Sequence, residues 1–452
     1  MEAGRGFAVD LLQTPEVSAL KEADRRLATE LVMGVLRWRG ELDFHLEELS
    51  GRAVERLDPE VAMILRMGVY QIQFLERVPK AAAVDEAVEL TKAAHKRSAT
   101  GLVNAVLRKC PAGGGPIKLE RLDDLDQALR ARARRAAPAW LLERWARNFG
   151  QAGMAGDEVA LRLAWASTRV PPTVLRVVDP AQNLGRLREE LAAHGIKTRP
   201  GRFSGRALVV ESGNVHECQA LRQGRVVIQD EASQLVADLV APRAGQRVLD
   251  LCAAPGIKAG QMAQALGSGT LVTCDSSASR LGAMARLLPP WLPKEVHWLT
   301  VRLDATQALP FGCQFERILL DAPCSGTGTL ARNPEIKWRL RQADVKRLAE
   351  AQLKMLETAL GSLSRSGRLV YATCSLEPEE NEGVVKRALE ESPGYQVVLP
   401  GELKSAYPAL SSLFDAQGYL RTRPDLHALD GFFAAIIVRK NQPLPRCNNA
   451  ET

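Results

Sequence analysis

The sequence predicts three folded parts in one chain: an all-helical front, a small α+β unit, and an α/β domain whose mostly parallel sheet ends in an antiparallel edge. Three observations carry this reading. Apolar residues recur every three or four positions up to Cys110. Short strand and helix patterns interleave after Pro171. From Asp230 onward, apolar strand candidates alternate with helical stretches, the pattern of a parallel sheet covered on both faces.

In the front part, Leu31, Val35, Leu42, Leu46 and Leu49 fall close to helical spacing. Asp58-Pro59 supplies a cap and a first-turn proline for the next helix, which carries Val61, Leu65, Val69 and Ile72. A third amphipathic run holds Val84, Val88, Leu102, Val106 and Leu107, ending at Pro111 and Gly113-Gly114-Gly115. An arginine-rich helical connector follows, with Arg130, Arg132, Arg134, Arg135, Arg144 and Arg147. Its plain reading is a solvated helix face. The small unit reads as TVLRVV, LGRLREELAAHG, ALVVES and VVIQ. The last part reads as strands RVLDLCA, GTLVTCD, VHWLTVRLD, RILLDAP and GRLVYATC, with YQVVLP and GFFAAIIVRK as the antiparallel edge. The expected boundaries are 1–135, 136–228 and 229–442, with a tail at 443–452.

Composition narrows the function classes. Of 452 residues 46% are hydrophobic, enough to offset the entropy of ordering and to exclude a disordered chain. No apolar run approaches the ~20 residues that span a bilayer, and the first residues lack an apolar signal core, so a cytoplasmic protein is expected. A net charge of +7 permits a nucleic-acid partner without requiring one. The eight cysteines form no CxxC pair and have no histidine in ligand spacing, so neither zinc nor a disulfide framework is expected.

The chemistry concentrates in the last part. Asp250-Leu251-Cys252-Ala253-Ala254-Pro255-Gly256-Ile257-Lys258 is a strand running through a tight small-residue turn into a helix, where backbone N–H groups face a ligand. The next strand ends in Asp275, suited to a ribose diol, and a later one in Asp304, suited to an exocyclic amine. Each is also a common cap or turn residue. Asp321-Ala322-Pro323-Cys324 and Thr373-Cys374-Ser375 each place a cysteine directly after an apolar strand. A cysteine beside a core strand is ordinarily a small buried hydrophobe, which suits Cys252, Cys274 and Cys313. If the strands before Cys324 and Cys374 are neighbours, both thiols open into one crevice beside Asp321. Two thiols and a carboxylate suit covalent chemistry on a pyrimidine, because carbon-5 of cytosine becomes nucleophilic once a thiolate adds at carbon-6. A helix starting near Pro378 would favour the thiolate, against the charges of Glu377, Glu379 and Glu380.

These segments resemble the RNA 5-methylcytosine methyltransferases that use S-adenosylmethionine: DAPCSGTG and ATCS are that family's paired cysteine motifs, and DLCAAPGxK is its cofactor loop. LVMGVLRWRGELD, LRMGVYQI and PKAAAVDEAVELTKAAHKRSATGLVNAVLRK resemble the NusB-like RNA-binding domain fused to one branch of it. The resemblance implies a NusB-like front and a Rossmann-like class I methyltransferase domain. It implies cofactor contacts from Cys252 through Lys258 and from Asp275, Asp304 and Asp321. It also implies Cys374 as nucleophile, Cys324 in product release, and Asp321 between cofactor and base. Arg130, Arg132, Arg134, Arg135 and Arg176 are the expected RNA contacts, small-subunit (16S) ribosomal RNA the expected substrate, and a monomer without metal the expected form. Alternatives are the same chemistry on transfer RNA, or a non-catalytic assembly factor. Ile257 and Ala259 replace the family's Gly and Thr, and Val178 replaces Asn; Ile257 lacks the φ > 0 freedom of glycine, so a reshaped loop is expected.

Overall fold

The computed structural model describes residues 7–113, 127–150, 155–179 and 181–440. The chain divides into two compact units, one reaching Val170 and taking in Leu330–Leu340, the other running from Pro171 to Thr329 and resuming at Arg341.

In the helical unit, α1 (Glu22–Ser50), α2 (Pro59–Phe74), α3 (Lys80–Ala93) and α4 (Thr100–Lys109) bury one apolar stripe each around Leu42, Leu65, Val84 and Leu107. Asp58 caps α2 as its sequence suggests, accepting from the Glu60 backbone N–H at 3.0 Å. The arginine-rich run forms α5 (Gln127–Arg135), followed by α6 (Ala139–Phe149) and α7 (Gly156–Ala166). Glu41, on α1, binds Arg135 Nε at 2.6 Å, Arg132 Nε at 3.1 Å and His45 Nε2 at 3.4 Å. The guanidinium of Arg135 also lies 4.1 Å from the Phe44 ring centroid. Burial works against the Glu41 charge, but the hydrogen bonds from His45 and Arg135 and the nearby arginine charges outweigh it and bring its pKa down to about 2.

Leu330–Leu340 is built into this same unit. Arg37 donates to the Ala331 carbonyl at 3.3 Å, and the Trp338 indole N–H to the Leu36 carbonyl at 2.7 Å. Lys337 is fully buried, its Nζ donating to the Arg37 carbonyl at 3.1 Å and to Ser167 Oγ at 3.0 Å. Desolvation, with the Arg37 charge second, lowers its pKa to about 7.

The second unit begins with an antiparallel sheet of β1 (Val174–Val177), β2 (Lys197–Pro200), β3 (Ala207–Ser212) and β4 (Val226–Ile228), ordered β2-β3-β1-β4, with α8 (Leu184–Ala193) packed against it. The sequence reading omits β2, a polar edge strand that ends in proline. After α9 (Glu231–Val240) come β5 (Gln246–Asp250), α10 (Ile257–Leu266), β6 (Gly269–Asp275), α11 (Ala278–Leu287), β7 (Val296–Arg302), β8 (Phe315–Asp321), α12 (Gln342–Gly361), β9 (Leu363–Thr373), α13 (Glu382–Glu391), β10 (Tyr395–Val397), β11 (Tyr419–Arg421) and β12 (Phe433–Arg439). These strands form one sheet in the order β10-β12-β9-β8-β5-β6-β7, with β11 beside β12. β5 to β9 run parallel, and β10, β11 and β12 pair antiparallel at the edge. Helices α9, α10 and α11 cover one face, α12 and α13 the other.

The path β5-β6-β7 runs outward in one direction, and β8 returns to the other side of β5. That reversal creates a switch-point crevice between the loops after β5 and β8. In the loop after β5 the left-handed conformation falls on Gly256, at φ 102°, where a Cβ would meet Met284 Cγ at 2.7 Å. Ile257 is already the first residue of α10. The expectation that Ile257 reshapes the loop is therefore corrected: the position that needs glycine is one residue earlier, and it is glycine.

Candidate active site

The crevice holds a cavity of about 250 Å³ at the carboxyl ends of β5, β6, β8 and β9. Its walls bring together the sequence-predicted Cys252, Ala254, Lys258, Asp275, Asp304, Asp321, Cys324 and Cys374. Ala253, Pro255, Gly256 and Ile257 complete the loop that turns from β5 into α10.

At the far end, Asp275 is 4% exposed and accepts from the Ser277 backbone N–H and Arg280 Nη2, both at 2.8 Å and both on the same oxygen. Arg280 and Ser276 line the wall beside it, and the sequence reading misses both. Asp304 binds Thr306 through its backbone N–H and its hydroxyl, which lowers the Asp304 pKa. It is at once a turn residue and part of the wall. In the middle, Lys258 Nζ meets Asp321 Oδ2 at 2.7 Å. Burial alone would lower the Lys258 pKa, but Asp321 outweighs it and holds the ammonium charged. The Phe432 ring, 5.5 Å from that ammonium, and Met355 form apolar walls.

At the near end stand the thiols. β8 and β9 are neighbours with Asp321 opposite Ala372, so the segments after them emerge side by side. Cys324 Sγ and Cys374 Sγ are 3.3 Å apart, each partly exposed. Contact with Cys374 first, and burial second, push the Cys324 pKa well up; two thiols in contact resist double ionisation. Gly328 donates its N–H to the Cys374 carbonyl at 2.9 Å, and a Cβ there would meet the Gly431 carbonyl oxygen at 2.0 Å. The helix expected from Pro378 begins only at Glu382, so no helix N-terminus adjoins Cys374.

Asp250 sits behind the pocket floor at 1% exposure, and neither carboxyl oxygen meets a donor in full hydrogen-bond geometry among the described residues, although the Lys258 charge and the Cys252 backbone N–H favour its ionised form. Burial first and the Asp321 charge second raise its pKa to about 8. An orphaned acid beside an acid-lined cavity fits a ligand that brings positive charge and hydroxyl groups, as S-adenosylmethionine does.

The predicted RNA-binding arginines fare differently. Arg130 pairs with Glu158 at 2.6 Å, and Arg132 and Arg135 pair with Glu41, so these three are internal ion pairs of the helical unit. Arg134 is exposed. Arg176 is 0% exposed, donating to Gln229 Oε1 at 2.7 Å and Gln264 Oε1 at 2.8 Å. It ties the small sheet to α10, and to Gln229 just ahead of α9, from a strand that is buried along its whole length.

A sheet with this switch point, an acidic cavity beside it and paired thiols at its mouth is that of a Rossmann-like methyltransferase using S-adenosylmethionine. Residues 237–438 match the 16S rRNA methyltransferase RsmB/F family, and residues 4–111 match the NusB family. The chain is 31% identical over 425 residues to ribosomal RNA small subunit methyltransferase B of Vibrio cholerae, covering 93% of this chain and 91% of that one. It is 33% identical over 392 residues to the protein of the same name from Pseudomonas putida, covering 84% of each. Among solved structures, the crystal structure of PH0851 aligns with TM-score 0.74 and 24% identity over 94% of this chain and 92% of that one. A methyltransferase homolog protein from Pyrococcus horikoshii aligns with TM-score 0.54 and 26% identity over 67% of this chain and 99% of that one. The chain belongs to the 16S rRNA methyltransferase RsmB/F family.

Proposed function

We propose that this protein methylates carbon-5 of a cytosine in small-subunit ribosomal RNA through a covalent bond from Cys374 to the base, working in the cytoplasm. The observation that carries the reading is the 3.3 Å approach of Cys374 Sγ and Cys324 Sγ at the mouth of a cavity shared with Asp321.

S-adenosylmethionine, when bound, supplies an electrophilic methyl group. Asp275 offers carboxylate oxygens to a ribose diol and Asp304 an acceptor to an adenine amine, while Asp250, left largely protonated at neutral pH by its raised pKa, can give up its proton to face the cofactor's cationic end. A cytosine flipped from the RNA enters between Phe432 and the thiols. Cys374 attacks carbon-6 as thiolate, with the Lys258 ammonium close enough to interact with its sulfur. The 5,6 double bond opens and carbon-5 becomes the nucleophile; Asp321 steadies the ring at nitrogen-3. After methylation carbon-5 still holds its proton. Water or a base at the cavity mouth takes that proton, which restores the double bond and expels Cys374 as thiolate, with Cys324 assisting release.

The test incubates Cys324→Ala with small-subunit ribosomal RNA and S-adenosylmethionine. A covalent protein–RNA band is expected, lost when Cys374→Ala is added, and absent with transfer RNA. Wild type that transfers methyl groups without any trapped band in Cys324→Ala contradicts the covalent route.

A further inference from the structure

Between the two cysteine loops lies a buried acid that the chemistry above leaves without a role. Glu380 is 0% exposed. Its Oε1 accepts from the Ser325 backbone N–H at 2.8 Å and from Gln352 Nε2 at 3.0 Å. Its Oε2 accepts from the Ser325 hydroxyl, and from the Ser375 hydroxyl at 2.5 Å. The two serine oxygens are themselves 3.0 Å apart. Glu380 is held in turn from behind, where the Tyr371 hydroxyl donates to its backbone carbonyl at 2.5 Å.

Every one of these donors is neutral, and a buried carboxylate without a cation is costly to keep where an apolar side chain would pack. The donors are not scattered. Ser325 follows Cys324 and Ser375 follows Cys374, so a single carboxylate grips the residue next to each thiol. Gln352 extends the grip by donating to the Pro323 carbonyl, on the other side of Cys324, at 2.8 Å.

We propose that Glu380 is the positioning residue of the two-thiol centre, clamping the loops after β8 and β9 so that Cys324 and Cys374 stay in contact. The inference rests on the reading that Cys374 attacks the base and Cys324 assists release. Glu380 touches neither base nor cofactor in this scheme; it acts through Ser325 and Ser375.

The experiment compares the full-length wild type, Glu380→Ala and Glu380→Gln by two readouts. One is the rate at which diamide, a thiol oxidant that takes up two hydrogens, closes a Cys324–Cys374 disulfide, followed as a two-hydrogen mass loss. The other is methyl transfer to small-subunit ribosomal RNA, resolved into kcat and KM. In Glu380→Ala the disulfide is expected to form at least about tenfold more slowly, and kcat to fall about 100-fold with KM nearly unchanged, the scale of effect for an ångström of misplacement. Glu380→Gln, whose amide reaches the same two serines, restores most of both. Unchanged disulfide and turnover rates in Glu380→Ala overturn the proposal, as does loss of turnover with a normal disulfide rate. If Glu380→Ala does not fold, the Ser325→Ala/Ser375→Ala double variant, which cuts the same ties and leaves the acid, carries the test with the same outcomes. A wild type inactive on RNA would break the functional reading alone, because the disulfide rates still report on the clamp.

Discussion

Glu41 in the helical unit and Asp250 beneath the active-site cavity are both buried acids, and their surroundings drive them in opposite directions. Glu41 is gripped by two arginines and a histidine and its pKa falls to about 2; Asp250 has no side-chain hydrogen-bond partner among the described residues and its pKa rises to about 8. In sequence the arginine-rich run reads as a solvated helix face that the family resemblance turns into an RNA contact, and the DLCAAPG segment reads as a ligand loop. The acid that meets partners inside its own unit holds that unit together, and the buried acid without a side-chain partner lies beside the cavity where a ligand belongs.

This contrast can be broken by substitution. Glu41→Gln is expected to have the largest effect, destabilising the helical unit by on the order of 3 kcal/mol at neutral pH, from the lowering of its pKa. Because the folded-state pKa is depressed, the contribution is fully present above the ordinary carboxylate value of 4.5 and is lost as pH falls towards about 2. Thermal or urea unfolding checks it, and cofactor affinity is expected to be untouched. Asp250→Asn is the opposite case. Its folded-state pKa is raised, so the carboxyl's penalty grows as pH climbs from about 4 to about 8, and the variant's gain in apo stability grows over that same window. Calorimetry with S-adenosylhomocysteine is expected to show affinity down about tenfold, the loss of one charge-assisted contact. A variant that binds as well as wild type would remove Asp250 from the cofactor site. Arg134→Ala sharpens the comparison with the smallest change: with one exposed charge gone, RNA affinity falls slightly and the slope of its logarithm against log salt drops by about 1. Unfolding would be unaffected.

Where one segment carries its own signal, the sequence read well. GTLVTCD is β6 end to end, and Asp58-Pro59 starts α2 as cap and first-turn proline. The loop after β5 and the two cysteine segments each declared themselves locally, and their meeting required only that β8 and β9 be neighbours. What stayed hidden depends on partners far along the chain. Arg176 and Gln264 are 88 residues apart, and Glu380 reaches Ser325 across 55. Phe432 and Met355 arrive at the cavity from the loop just before β12 and from α12, with no local pattern that points to the site. β2 was hidden for another reason: its residues are Lys, Thr, Arg and Pro, held by edge pairing to β3 and not by an apolar face of their own.

The placement of Leu330–Leu340 in the helical unit sets an order of events during synthesis. Domains tend to fold as they leave the ribosome, front part first. Here Ser167 must wait for Lys337, and Leu36 for Trp338, 302 residues later. The front unit therefore finishes only after the cofactor loop and the first cysteine loop have been made. A nascent chain stalled before Lys337 carries an unfinished helical unit, whatever the length of helix it has already formed.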